Sequence, residues 1–256
     1  LLFLGRSCVI LINKLIIKEN TITQTILETK SIVLYPIIGC IVLGNALIIL
    51  NYFVGLKHGL VYLILGLLLI PNLFEINKVQ FKVKEIITLE NIFYYLLIPG
   101  ILLISSSDIN FHYDAAYYHL NHQNWLRESN LIIGMVNIFW PFGMSSIYEY
   151  ISSVFWFKDS LIYLHFVSLI FIQFFFSFLY FQLFCSRNKK LKYASLFIVI
   201  FSFLDNFGFS GGRNGFIYIQ EIGKQDIAVA ILFCFVSLVI INSILNQDIN
   251  KLDFTI

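Results

Sequence analysis

Six apolar runs, separated by short polar segments, constrain this chain more than any other feature. They are Ile32–Val54, Gly59–Phe74, Ile92–Ser106, Leu161–Phe184, Leu191–Leu204 and Ile227–Leu245. A helix needs roughly 20 apolar residues to cross a bilayer, and about 17 are tolerated. The longer runs are read as spans, and the shorter ones must borrow flanking residues or neighbouring protein. In hydrocarbon every backbone N–H and C=O must be paired, and a helix does this within its own segment. The expected fold is therefore all-α, a polytopic transmembrane helix bundle of about six spans forming a single membrane domain. Composition agrees, with 59% hydrophobic and 12% charged residues and a mean hydropathy of +0.83. A soluble domain is nearer half apolar and about a quarter charged.

Net charge is +2, so no broad attraction to nucleic acid is implied. Cys8, Cys40, Cys185 and Cys234 form no CxxC pair and read as small buried hydrophobes, without a redox or zinc signal. Leu1–Ile17 reads as the end of a further membrane helix. Arg6 and Lys14 interrupt it and no small-residue cleavage site follows, so it is not a signal peptide. The start at Leu-Leu-Phe and the end at Thr-Ile suggest a fragment of a longer protein.

Basic residues in short loops mark the cytoplasmic side. Glu75–Asn91 carries Lys78, Lys82 and Lys84, and Ser186–Lys192 carries Arg187, Lys189, Lys190 and Lys192. Threading the runs on that basis puts twelve of the seventeen Lys and Arg inside. Lys57, Arg127, Lys158, Arg213 and Lys224 fall outside. Two polar segments, 107–158 and 205–224, then lie on the extracytoplasmic face. A run from Leu131 to Phe157, broken by Pro141 and two glycines, reads as re-entrant or interfacial rather than as a clean span.

The first outer segment holds a polar island. His112, His119 and His122 lie within eleven residues of one another, with Asp108 and Asp114 beside them. Titratable groups are costly near a bilayer, so their concentration at its boundary marks a site. A short surface helix starting at Asp114 would align Asp114, Tyr118, His122 and Trp125 as one stripe, with Tyr117, Asn121, Asn124 and Glu128 beside it. A carboxylate there can act as a general base toward a hydroxyl. The plainer role for Asp114 is a helix cap. Asp114 and His122 are the pair that would ligate a divalent metal ion, although the spacing matches no standard zinc motif. Trp125, Trp140 and Trp156 read as interface anchors or as a sugar-stacking platform.

The second outer segment contains Ser210-Gly-Gly-Arg-Asn-Gly, and Asp226 stands at the mouth of the last run. Backbone N–H groups of that loop, with Arg213 and Lys224, could hold phosphate. The loop matches neither the Walker nor the dinucleotide fingerprint, and a flexible connector is the alternative.

Tyr113-Asp114-Ala-Ala-Tyr-Tyr118-His119-Leu120, Trp125-Leu-Arg-Glu128, Asn137 and Phe142-Gly143-Met-Ser145-Ser146 together resemble a group of bacterial multi-pass proteins. That group is similar to the GT-C class of membrane glycosyltransferases, kin to the dolichyl-phosphate-mannose and aminoarabinose transferases. The resemblance implies a polyprenyl-phosphate-linked sugar as donor and a glycan, lipid or protein as acceptor. It places the chain in the bacterial inner membrane with its active face outward. It implies catalytic roles for Asp114 in the first loop and Asp226 at a later helix mouth. Substrate binding would fall to Tyr118, His119, His122, Trp125, Arg213 and Lys224. Many class members carry two adjacent acids in the first loop, whereas Asp114 is followed here by Ala115. Two other functions compete. A flippase for lipid-linked sugars would draw on Asn45, Asn51, Gln173, Gln182 and His165 within the runs. A non-enzymatic membrane assembly protein would use the island only as an anchor.

Overall fold

The computed structural model describes residues 1–12, 14, 31–73, 92, 96–104, 110–111, 113–143, 145–157, 160–185, 188–206, 221–222 and 225–246. Among the described residues the fold is all-helical apart from one short strand pairing. In chain order come α1 (Leu2–Ile12), α2 (Ser31–Asn51), α3 (His58–Leu69), α4 (Ile98–Ile104) and strand β1 (Asn110–Phe111). A π-turn, Ala115–His119, leads into α5 (Leu120–Glu128), and two 3-10 turns (Met135–Asn137, Trp140–Gly143) precede α6 (Ile147–Val154). Then follow α7 (Ile162–Tyr180), α8 (Lys189–Asn206), strand β2 (Glu221–Ile222) and α9 (Asp226–Asn246).

The apolar runs and the helices coincide where both are described. Two helices are long and apolar enough to cross a membrane, Val33–Asn51 and Ile162–Phe184. Leu2–Ile12, His58–Leu73 and Asp226–Ile241 are apolar but shorter. The third run is described as helix over Ile98–Ile104, and the loop from Glu75 to Asn91 lies outside the described residues. The basic segment Ser186–Lys192 is not wholly a loop. Asn188 Oδ1 accepts from the backbone N–H of Lys190 at 3.0 Å, which starts α8 at Lys189. This is the ordinary way to satisfy an orphan donor at a helix start. Lys189, Lys190 and Lys192 therefore sit on the first turn of α8.

α7 is central. Its Phe174 and Phe178 meet Phe235 of α9 edge to face, with ring centroids 5.1 and 5.3 Å apart. Val33, Ile37 and Cys40 of α2 and Tyr148 and Ile151 of α6 belong to the same buried cluster. α1 lies directly on α2. A Cβ on Gly5 would fall on the Tyr35 carbonyl, and one on Gly39 would fall on the Leu1 carbonyl. Only residues without a side chain allow such close backbone approach between two helices.

The C-terminal end of α2 fixes α5. Asn51 is fully buried. Its side-chain amide donates to the carbonyls of Val54, Leu126 and Ser129 at 3.2, 3.1 and 3.0 Å. Its own carbonyl accepts from the N–H of Leu131 at 2.8 Å, and Leu56 N–H donates to Leu126 at 2.9 Å. Orphan carbonyls at the end of α5 are thereby satisfied from another helix. The described residues of 131–157 form no long helix, in keeping with the broken pattern; they include two 3-10 turns and the eight-residue α6.

Candidate functional site

The two polar segments meet through their backbones. β1 and β2 pair in parallel, Asn110 opposite Glu221 and Phe111 opposite Ile222. Each strand soon runs into a helix. One leads to the turn beginning at Asp114, and the other to α9, whose first residue is Asp226. Because the strands are parallel, both helix starts emerge at the same end of the pairing. An aspartate in a first turn is also favoured by the helix dipole.

Tyr118 reports where these acids lie. Partial burial pushes its phenol above the ordinary value, and the charges of Asp114, Asp226 and Glu149 push it further, with Tyr113 adding to them. Asp114 and Asp226, far apart in sequence, thus act on one phenol. Asp114 makes no side-chain capping hydrogen bond at the helix start, so of the capping role only the dipole part applies to it.

The predicted stripe changes at Ala115–His119. His119 and His122, three residues apart, share one face of the turn leading into α5. Both rings close on a residue of α6. His119 Nδ1 lies 2.5 Å from Glu149 Oε1, and His122 Nδ1 lies 2.5 Å from Glu149 Oε2. All three are buried, Glu149 to 2% exposure. Burial alone would raise the Glu149 carboxyl. The hydrogen bonds and attraction from His119 and His122 outweigh it and leave the group below its ordinary value. His119 also touches Tyr118, with ring centroids 4.1 Å apart. The cluster joins the Asp114/Asp226 end of the site to α6.

The contact between α5 and α6 continues past the histidines. Gln123 is fully buried and accepts at Oε1 from the indole N–H of Trp156 at 2.9 Å. The Arg127 guanidinium stacks on the Trp156 ring at 5.2 Å, a cation–π contact. Trp125 packs on Phe142 at 4.7 Å and Tyr117 on Phe139 at 5.1 Å, which ties the 3-10 turns to α5. Trp125 and Trp156 are therefore packing residues in this structure, whereas Trp140 is exposed.

The expected site residues are brought together in part. Asp114, Tyr118, His119 and Asp226 share one locality, and His122 reaches it through Glu149. Trp125 sits farther along α5 against Phe142. Asp108, Arg213 and Lys224 lie outside the described residues. The Asp114–His122 metal pairing gains no support. His122 spends Nδ1 on Glu149, and among the described residues no group of three or more His, Cys, Asp or Glu side chains is arranged to hold a metal ion. Glu149 is absent from the expected set. Its signal was present in the sequence, since it is the sole charged residue between Glu128 and Lys158, and an isolated charge in an apolar stretch needs a partner.

No curated protein and no solved structure matches the chain. One family model does, over residues 2–255, and its description is a domain of unknown function, DUF8201. The match takes in both polar segments and all the helices that carry the cluster, so the chain belongs to the DUF8201 family.

Proposed function

We propose that this chain is a multi-pass membrane glycosyltransferase of GT-C type, moving a sugar from a polyprenyl-phosphate donor to an extracytoplasmic acceptor. The observation that carries the reading is the convergence of Asp114 and Asp226 on Tyr118 through the β1–β2 pairing. Two acids from separate loops, each at a helix start, are the arrangement that the resemblance to the GT-C class implies. The apolar helices support a membrane setting. The six-span topology with both loops outside, in a bacterial inner membrane, belongs to the same proposal.

In this mechanism the Asp114 carboxylate takes the proton of an acceptor hydroxyl. The freed oxygen attacks the anomeric carbon of the donor. The bond from that carbon to the phosphate oxygen breaks, its electron pair leaves with polyprenyl phosphate, and the anomeric configuration inverts. Asp226 supplies a second negative charge at the sugar. Tyr118 and His119 orient hydroxyl groups, and Arg213 and Lys224 are the proposed phosphate partners. The flippase reading is weaker because Asn51, one of its polar candidates, is spent on the Val54, Leu126 and Ser129 carbonyls.

The test is transfer by the intact protein from lipid-linked sugars. Asp114→Asn should lower kcat by about 100-fold or more, the order expected for loss of a general base, with membrane insertion unchanged. Transfer at the wild-type rate by Asp114→Asn would refute the role.

A further inference from the structure

Between α5 and α6 the chain turns a set of large apolar side chains away from the protein. Ile133 is 92% exposed, Ile138 79% and Trp140 65%, with Ile132 and Val136 exposed beside them. No Asp, Glu, Lys, Arg or His occurs from Ser129 to Tyr148, so nothing charged interrupts the patch. Single exposed apolar residues are ordinary, but a contiguous group marks a surface that meets another apolar phase. Its place in the fold says which phase. Leu131 N–H donates to the Asn51 carbonyl at 2.8 Å, and Asn51 is the last residue of α2, a helix long and apolar enough to cross a membrane. The segment therefore begins at the level where that span ends. Tyr52, Phe53 and Val54 leave α2 at the same level and are exposed as well.

The backbone limits the depth. Two 3-10 turns, of three and four residues, leave N–H and C=O groups without an intrahelical partner, and hydrocarbon does not tolerate those. Water disfavours the side chains and the bilayer core disfavours the backbone. What remains is the headgroup–acyl boundary, where Trp is also enriched. We infer that residues 132–140 are a wedge seated in the leaflet at the C-terminal end of α2, with a lipid surface as its partner. Tyr117 packs on Phe139 at 5.1 Å and Trp125 on Phe142 at 4.7 Å, so the wedge carries α5 with it. Asp114 and Tyr118, on the turn that leads into α5, are thereby held beside the leaflet surface. That is where a substrate anchored by a lipid chain presents its headgroup. The substrate rests on the glycosyltransferase reading, and the wedge on the membrane setting alone.

The experiment uses the intact protein in phosphatidylcholine vesicles, with tryptophan fluorescence read against lipids brominated near the headgroup or at the tip of the acyl chain. Of the three tryptophans, Trp140 is the exposed one. Bromines near the headgroup should quench the wild type, those at the chain tip should quench it less, and Trp140→Phe should lose most of the effect. Ile133→Trp in that background should restore it. Asn124→Trp, at an exposed polar position of α5, should instead be quenched by iodide in the water. Exposed positions tolerate such changes, so the fold is kept while the probe moves. Trp140 open to iodide and untouched by brominated lipid would overturn the inference. Shielding from both would also overturn it, because a protein surface, such as a second copy, would then cover the patch. Stronger quenching from the chain tip would overturn it too, because the segment would then enter the core. Release of the chain from membranes by alkaline carbonate would remove the membrane setting and the wedge with it, whereas an integral chain with an unquenched Trp140 would count against the wedge alone.

Discussion

Replacing Glu149 tests the cluster through its energetics. The wild-type carboxylate accepts two hydrogen bonds at 2.5 Å with 2% exposure. Hydrogen bonds to charged groups contribute about 1.5–3 kcal/mol each, and neutral ones about 1. Glu149→Gln trades two of the first kind for two of the second and should cost about 2 kcal/mol. Glu149→Ala leaves both Nδ1–H groups buried without a partner and should cost roughly 4 kcal/mol, within the range for breaking a buried pair. Removing the whole cluster should cost less than removing Glu149 alone. Glu149→Leu combined with His119→Leu and His122→Leu leaves no orphaned polar group and should recover most of that loss. The assay is the urea or thermal midpoint in detergent, followed by tryptophan fluorescence. A pH series adds a second reading. The folded Glu149 carboxyl lies below its ordinary value of 4.5, so its contribution is present above that pH and is lost as pH falls through the folded value. Glu149→Gln should flatten that acid limb. An alanine variant within about 0.5 kcal/mol of wild type, the usual range for surface changes, would refute the reasoning.

Two other perturbations probe the frame around the site. Asn51→Leu removes the amide that reaches three carbonyls and should cost about 2–4 kcal/mol, read as a lowered midpoint with faster proteolysis between α5 and α6. Gly5→Leu places a side chain on the Tyr35 carbonyl and should separate α1 from α2. The cost should be about 1–3 kcal/mol or more, and a cysteine pair spanning the two helices should lose its cross-linking.

Much of the helical frame was legible because long apolar runs separated by short polar segments favour helices, and the run boundaries match α2, α3, α7 and α9 within a few residues. The locality of Asp114, Tyr118, His119 and Asp226 was legible as chemistry. Regular helical spacing also puts His119 and His122, three residues apart, on one face able to share a ligand, and the structure has them share Glu149. Glu149 was missed because it lies thirty residues from His119 in an apolar stretch, and only tertiary packing of α6 on α5 brings them together. The role of Asn51 was hidden for the same reason. Its partners are backbone carbonyls of a distant helix, which leave no mark in side-chain composition.

The central claim is that the two polar segments share one site at Tyr118. Titration of that phenol tests it most directly, read from ring-carbon-labelled tyrosine and assigned through Tyr118→Phe. The wild-type midpoint should lie above 10.0. Asp114→Asn and Asp226→Asn should each lower it, and the double variant should lower it further. A midpoint that falls with Asp114→Asn but does not move with Asp226→Asn would contradict the account, because the second loop would then lie elsewhere.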